Sequence, residues 1–208
     1  MMLILTILIV LVLLIASETW WHYKRPHNEL SRKFIHMSVG SFAAFWPYFL
    51  SWNEILFLSA AFLIVVSLSQ YLGIFQAIHA VERPTWGEVC FALAVGMLAV
   101  LAREPLVFTV ALLIMSLSDG LAALVGTAYG KNNQYTVLGH KKSLAGSLAF
   151  FGSALVLLIG YAFVVSDPPS AAVLAGLALV ATGLENIAIR GLDNLAVPLV
   201  VAGVLMTV

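Results

Sequence analysis

The chain has 208 residues, of which 62% are hydrophobic and only 10% charged, and its mean hydropathy is +1.04. No ordinary soluble domain of this length has such a composition, so the sequence reads as an integral membrane protein of one domain, spanning 1–208. Ten Lys and Arg balance ten Asp and Glu, which offers nothing to a nucleic-acid partner; the single cysteine, Cys90, excludes an internal disulfide and leaves no Cys/His zinc framework.

A bilayer crossing takes roughly 20 apolar residues. Divided at its polar punctuation, the chain yields about eight helices (seven if one pair merges), expected near 2–21, 34–52, 54–73, 87–102, 105–128, 145–166, 170–189 and 194–208. The first run lacks a basic leader and a small-residue cleavage site, and reads as a retained helix. Trp52-Asn53-Glu54 separates the second helix from the third, and Ala102-Arg103-Glu104-Pro105 the fourth from the fifth, where proline disfavours continuation. The expected fold is all-α, a polytopic transmembrane bundle.

The basic residues test this division. Loops one, three, five and seven hold Lys24, Arg25, Arg32, Lys33, Arg83, Lys131, Lys141, Lys142 and Arg190, while the alternate loops hold only Arg103. The positive-inside rule then puts the odd loops in the cytoplasm and both termini outside. Most acids lean the same way, although acids contribute little to orientation. A polar site open to the cytoplasm, in the plasma membrane, accounts for them.

The fifth helix runs into such a site. Asp119 lies fourteen residues after Pro105, about 21 Å along a helix. It is either a carboxylate snorkelling to the interface or an acid lining a wet cavity. Ser118, Ala122, Gly126 and Gly130 then recur every four residues, a face with almost no side chains that permits close approach of a neighbouring helix. The following loop carries Lys131, Gly139, His140, Lys141, Lys142 and Ser143, with Gly146 and Ser147 opening the next helix. Positive-inside topology alone would explain the lysines. Lysines beside helix-start amides and hydroxyls also suit a phosphate, although Walker A spacing is absent.

Two further stretches share this side. In "NELSRKFIHMSVG", Glu29 can pair with Lys33 four residues on, and Arg32 shares a face with His36, which is either a neutral interior residue or part of the site. In "LENIAIRGLDN", Glu185 either neutralises Arg190 or joins Asp119 and Asp193 in holding a divalent metal with a polyphosphate.

In chain order, "ELSRKFIHMSVG", "ERPTWGEV", "SDGLAALVGTAYGK", "GHKKSLAGS" and "LENIAIRGLDNLAVPL" resemble the motifs of the polyprenol kinase family, which includes phytol kinases, dolichol kinases and the CTP-dependent diacylglycerol kinases of yeast type. The resemblance covers about 29–200. It implies a multi-pass membrane kinase that moves the γ-phosphate of CTP, or another nucleoside triphosphate, to a lipid alcohol with the help of Mg²⁺ or another divalent metal. Carried over by position, it places nucleotide around Gly126, Lys131, Lys141, Lys142, Ser143, Gly146 and Ser147. It places metal on Asp119, Glu185, Asp193 and Asn194, and catalytic roles on Asp119, Asp193, Lys33, Arg32 and His36.

Other readings differ in chemistry. A CTP-dependent phosphatidate cytidylyltransferase would transfer CMP, but its acidic C-terminal signature is absent. A CDP-alcohol phosphotransferase needs Arg where Leu124 stands, and two more aspartates. A small transporter would carry polar residues near mid-membrane on several helices, whereas here the ionisable groups gather at one face.

Overall fold

The structure, a computed structural model, describes residues 1–24, 28–72 and 86–208, with the side chains of 17, 18, 20–24, 28–32, 70 and 72 left out. Eight helices make up nearly all of it: α1 (Met2–Lys24), α2 (Asn28–Ala44), α3 (Trp52–Leu72), α4 (Gly87–Leu101), α5 (Pro105–Tyr129), α6 (Leu144–Val164), α7 (Ala171–Ile187) and α8 (Asp193–Leu205). Within these described residues α3, α5 and α6 are long and apolar enough to cross a membrane, and the others contribute shorter apolar lengths. Large apolar side chains such as Leu8, Val12, Phe57, Ile64, Val156, Phe163 and Leu179 point outward. Such a surface suits hydrocarbon rather than water.

Local chemistry sets the helix starts. Ser51 and Glu54 form a reciprocal capping box at the head of α3: the Ser51 amide donates to Glu54 Oε2 at 2.8 Å, and the Glu54 amide to Ser51 Oγ at 3.4 Å. Glu104 caps α5, accepting from the amides of Leu106 at 3.2 Å and Val107 at 2.6 Å, with Pro105 in the first turn where its missing N–H costs nothing. The second helix departs from the expected 34–52. It begins at Asn28, ahead of the apolar run, and stops at Ala44, after which Trp46–Tyr48 form one 3-10 turn around Pro47. Lys33, at the end of this polar stretch, lines the protein's polar end, described below.

At the centre stands α5, the most deeply buried of the three long spans. Phe108, Leu112, Ile114 and Met115 are wholly enclosed and meet Phe150, Ala154 and Leu158 of α6, Leu98 of α4, and Val197 and Val201 of α8 in one continuous core. Midway, α5 changes its winding, and Ile114–Ser118 form a π turn immediately before Asp119. Such insertions are frequent at functional sites. A smaller cluster, Leu14 with Ile35 and Val39, ties α1 to α2.

Small residues let α5 be gripped from two sides. A Cβ on Gly40 would lie 2.4 Å from Ser116 Cβ, and one on Gly120 would strike the Met37 side chain at 2.0 Å, so α2 lies directly against the π turn. On the opposite side, a Cβ on Gly146 would come within 2.9 Å of the Ala122 carbonyl, and one on Gly130 within 2.6 Å of Ser143 Cβ. The four-residue ladder is thus the seat of α6.

Candidate active site

At one end of the bundle the starts of α2, α4, α6 and α8 meet the ends of α5 and α7. Between α5 and α6 a two-stranded antiparallel hairpin, β1 (Gln134–Val137) and β2 (His140–Ser143), folds back over this end. Its turn holds Leu138 at φ 48° and Gly139 at φ 81°, the pair of positive angles of the two-residue turn whose twist matches a hairpin. Gly139 adopts this conformation without cost, whereas Leu138 does not.

The hairpin is pinned by side chains from one of its faces. Tyr135, opposite Lys142 in the register, brings its hydroxyl to Ser147 Oγ and donates to Asn186 Oδ1 at 2.7 Å. Lys142 forms an ion pair with Glu185 Oε1 and donates to the Glu185 carbonyl at 3.0 Å. Successive strand residues point to opposite faces, so Lys141 stays exposed while Lys142 reaches α7.

Beneath the hairpin lies a polar cavity of about 550 Å³. Lys33, Asp119, Gly126, Lys131, Lys141, Lys142, Ser143, Gly146, Ser147, Glu185, Asp193 and Asn194 all line it, as do Arg190 and His140, which the family resemblance does not mark. Five cations face three carboxylates, a surplus suited to a polyanion in a recess walled by protein. Arg190 stands in the short α7–α8 connection at φ 56°, next to Gly191 at φ 88°, and its carbonyl accepts from the Trp86 amide at 2.8 Å. That bond ties the head of α4 to the cavity rim. The sequence signal for Arg190 was present in "IRGLDN", where glycine follows a lone arginine between two helices.

The floor is an ion pair. Lys33 Nζ donates to both carboxylate oxygens of Asp119, 2.5 Å from Oδ1, with the two side chains only 11% and 7% exposed. Lys33, Met37 and Gly40 share one face of α2, and the close contacts at the latter two hold Lys33 over α5. The partner of Lys33 is thus 86 residues distant in sequence, while the side chain of Glu29, expected to pair with it locally, lies outside the described residues. In the same way Lys142, rather than Arg190, forms the ion pair with Glu185.

His36 lies beside the floor, its Nε2 3.8 Å from Asp119 Oδ2 and 3.4 Å from the Met115 carbonyl, yet it faces a separate, apolar cavity. Arg32 belongs to α2, and its side chain lies outside the described residues. The start of α6 is already satisfied internally: Ser143 Oγ accepts from the Gly146 amide at 3.1 Å, and the Leu144 amide donates to the Asn133 carbonyl at 3.0 Å. Binding of an anion here therefore falls to side-chain cations more than to these amides.

Among the described residues no three His, Cys, Asp or Glu side chains converge as a metal cage. Asp119 and Asp193 do line the same polar space. That donor set fits Mg²⁺, which commonly takes one or two carboxylates and fills its shell with water and substrate phosphate. Glu185 is engaged by Lys142, and Asn194 commits its amide nitrogen to the Gly87 carbonyl at 2.9 Å, leaving Oδ1 as its remaining side-chain oxygen.

A helical membrane protein with a basic, carboxylate-containing cavity at one end is the class these features define. Comparison with known proteins gives the family. A phytol kinase of Synechocystis sp. is 33% identical over 179 residues, covering 82% of this chain and 76% of its own length. Probable phytol kinase 2, chloroplastic, of Glycine max is 30% identical over 191 residues and 83% of this chain; the chain spans 63% of that relative's length. No protein-family model matches, and no solved structure matches. The chain belongs to the polyprenol and phytol kinase family.

Proposed function

We propose that the protein transfers the γ-phosphate of CTP, or of another nucleoside triphosphate, to the hydroxyl of a long-chain lipid alcohol, an isoprenoid alcohol of the kind its relatives are named for. The observation that carries this reading is the polar cavity, where Lys33, Asp119, Lys131, Lys141, Lys142, Arg190 and Asp193 gather from five separate segments of the chain at one end of an apolar bundle.

Phosphoryl transfer asks little covalent chemistry of a protein; it asks for positioning and for compensation of negative charge. Lys131, Lys141, Lys142 and Arg190 hold the triphosphate. Lys33 is fixed by Asp119 at the cavity floor, where a positive charge of set position opposes the charge developing on the phosphoryl group in transit. Asp119 and Asp193 would share Mg²⁺ with the phosphates, and the metal would neutralise charge there. The alcohol oxygen attacks the γ-phosphorus, and the nucleoside diphosphate departs. The distribution of Lys and Arg supports a cavity open to the cytoplasm.

The test uses purified protein in lipid nanodiscs, a panel of isoprenoid alcohols, diacylglycerol and phosphatidic acid, and CTP labelled at the α or the γ phosphate. Appearance of γ label in an alcohol is the expected result. Incorporation of α label would make the protein a cytidylyltransferase, and no label in any lipid would remove the kinase reading.

A further inference from the structure

Beside the polar cavity is a second, narrow one of about 40 Å³, room for roughly three water-sized groups. Its walls are Leu14 of α1, Ile35 and Val39 of α2, Phe62 of α3 and Phe91 of α4, all apolar. Among the described residues only His36, Glu88 and Asn194 bring polar side chains to it. Glu88 is the anomaly. Both of its carboxylate oxygens are enclosed, and among the described residues neither has a hydrogen-bond partner. Buried carboxylate oxygens are rarely left so, because the lost hydration is not recovered, and each such group calls for an explanation. Glu88 stands in the first turn of α4, where the helix dipole favours a negative charge, but it forms no cap, and the dipole leaves both oxygens without a hydrogen-bond donor.

The two cavities meet at Asn194, which lines both and bonds the Gly87 carbonyl next to Glu88. His36 also spans the boundary, its ring on the apolar side against Phe91 and its Nε2 toward Asp119. An apolar recess ending in an unpaired acceptor, one residue away from a polyphosphate-sized space, has the chemistry of a hydroxyl on a hydrocarbon chain. An anion would be repelled by the Glu88 carboxylate, a hydrated cation would find only three polar side chains among the described walls, and a pure hydrocarbon would leave Glu88 unpaired.

Building on the kinase reading above, we propose that this second cavity receives the hydroxyl end of the lipid alcohol and that Glu88 accepts first its hydrogen bond and then its proton. As the alcohol oxygen bonds to the γ-phosphorus of the nucleoside triphosphate, the bond from that phosphorus to the bridging oxygen breaks. The nucleoside diphosphate leaves with the electron pair, and the hydroxyl proton passes to the Glu88 carboxylate and on to water. The cavity is too small for the chain, so the tail lies beyond Leu14 and Phe62 in the lipid. On this side α1 packs chiefly on α2.

The test compares wild type with Glu88→Gln and Glu88→Asp in nanodiscs, using phytol and γ-labelled CTP for transfer and a fluorescent CTP analogue for nucleotide binding. Glu88→Gln should lower kcat for transfer about 100-fold, in the range of a lost general base, with nucleotide affinity unchanged; Glu88→Asp should recover part of the rate. A Glu88→Gln rate within about threefold of wild type, or loss of nucleotide binding along with transfer, would overturn the assignment. A phytol analogue carrying a diazirine near its hydroxyl gives a readout independent of any variant: crosslinks should fall on Leu14, Phe62 or Phe91, and crosslinks confined to other segments refute the site. Wild-type protein that labels at these residues but phosphorylates no alcohol would sink the kinase reading and leave the lipid site standing.

Discussion

Two ion pairs bound the polar cavity, and they differ in almost everything except their chemistry. Lys33–Asp119 joins two helices, sits under close glycine contacts and is nearly sealed from solvent. Lys142–Glu185 joins a hairpin to the end of a helix, and its lysine remains 24% exposed. A sealed pair held by backbone contact has one geometry available, whereas a half-open pair on a two-stranded hairpin can part and re-form as the hairpin moves. On the proposed kinase reading the floor supplies fixed charge and the rim exchanges with the ligand.

The sharpest way to break this contrast is Asp119→Asn. It leaves Lys33 charged and unpaired, which at a buried site costs about 3–5 kcal/mol, and it should reduce transfer at least ~100-fold while membrane insertion persists. Transfer of γ label and thermal unfolding in detergent measure the two effects; near-normal turnover would show that the floor pair is scaffold alone. Removing both charges in Lys33→Met with Asp119→Leu sharpens the point. Replacing a whole buried pair by apolar groups is often neutral for stability, so the double variant should regain most of the lost unfolding temperature yet stay inactive.

The rim should respond more mildly. Lys142→Met leaves the buried Glu185 without its cation, at about 1–3 kcal/mol, and should raise the nucleotide KM about tenfold with a smaller change in kcat. Equal losses in both parameters would place Lys142 with the floor. The least effect is expected at the hairpin tip. Leu138→Asn creates the Asn-Gly pair that this turn prefers and relieves a left-handed leucine, a strain of about 1–2 kcal/mol. Slower proteolysis of the hairpin at unchanged turnover is the expected outcome, and faster cleavage would contradict it.

What could be read from the sequence follows from which physical signals are local. Hydropathy and polar punctuation are local, so the helical character and the start at Pro105 were accessible, and the start of α3, at Trp52 rather than the expected 54, to within two residues. The acid, the small-residue ladder and the lysines of 119–147 were legible as a group because they lie on consecutive elements. Partners were not legible. Nothing in the sequence around Lys33 pointed to Asp119, and Glu185 had a ready neighbour in Arg190, yet the structure joins Lys33 to Asp119 and Glu185 to Lys142. The hairpin was hidden because Leu138 is a poor residue for its turn, and Glu88 because being unpaired is a property of surroundings supplied by four helices.

The π turn of α5 has a consequence for how this protein can vary. It inserts one residue into the helical repeat, so the halves before and after it are indexed differently around the axis, by about 100° for each residue added or removed. Phe108 and Leu112 take their bearing from the apolar core, while Asp119 takes its bearing from Lys33. Substitution alone leaves that angular setting in place; losing one residue between 114 and 118 would turn the acid away from its lysine while leaving the dry half undisturbed. The helix behaves as two short shafts coupled at a fixed dial position, and chain length, more than side-chain identity, keeps the dial set.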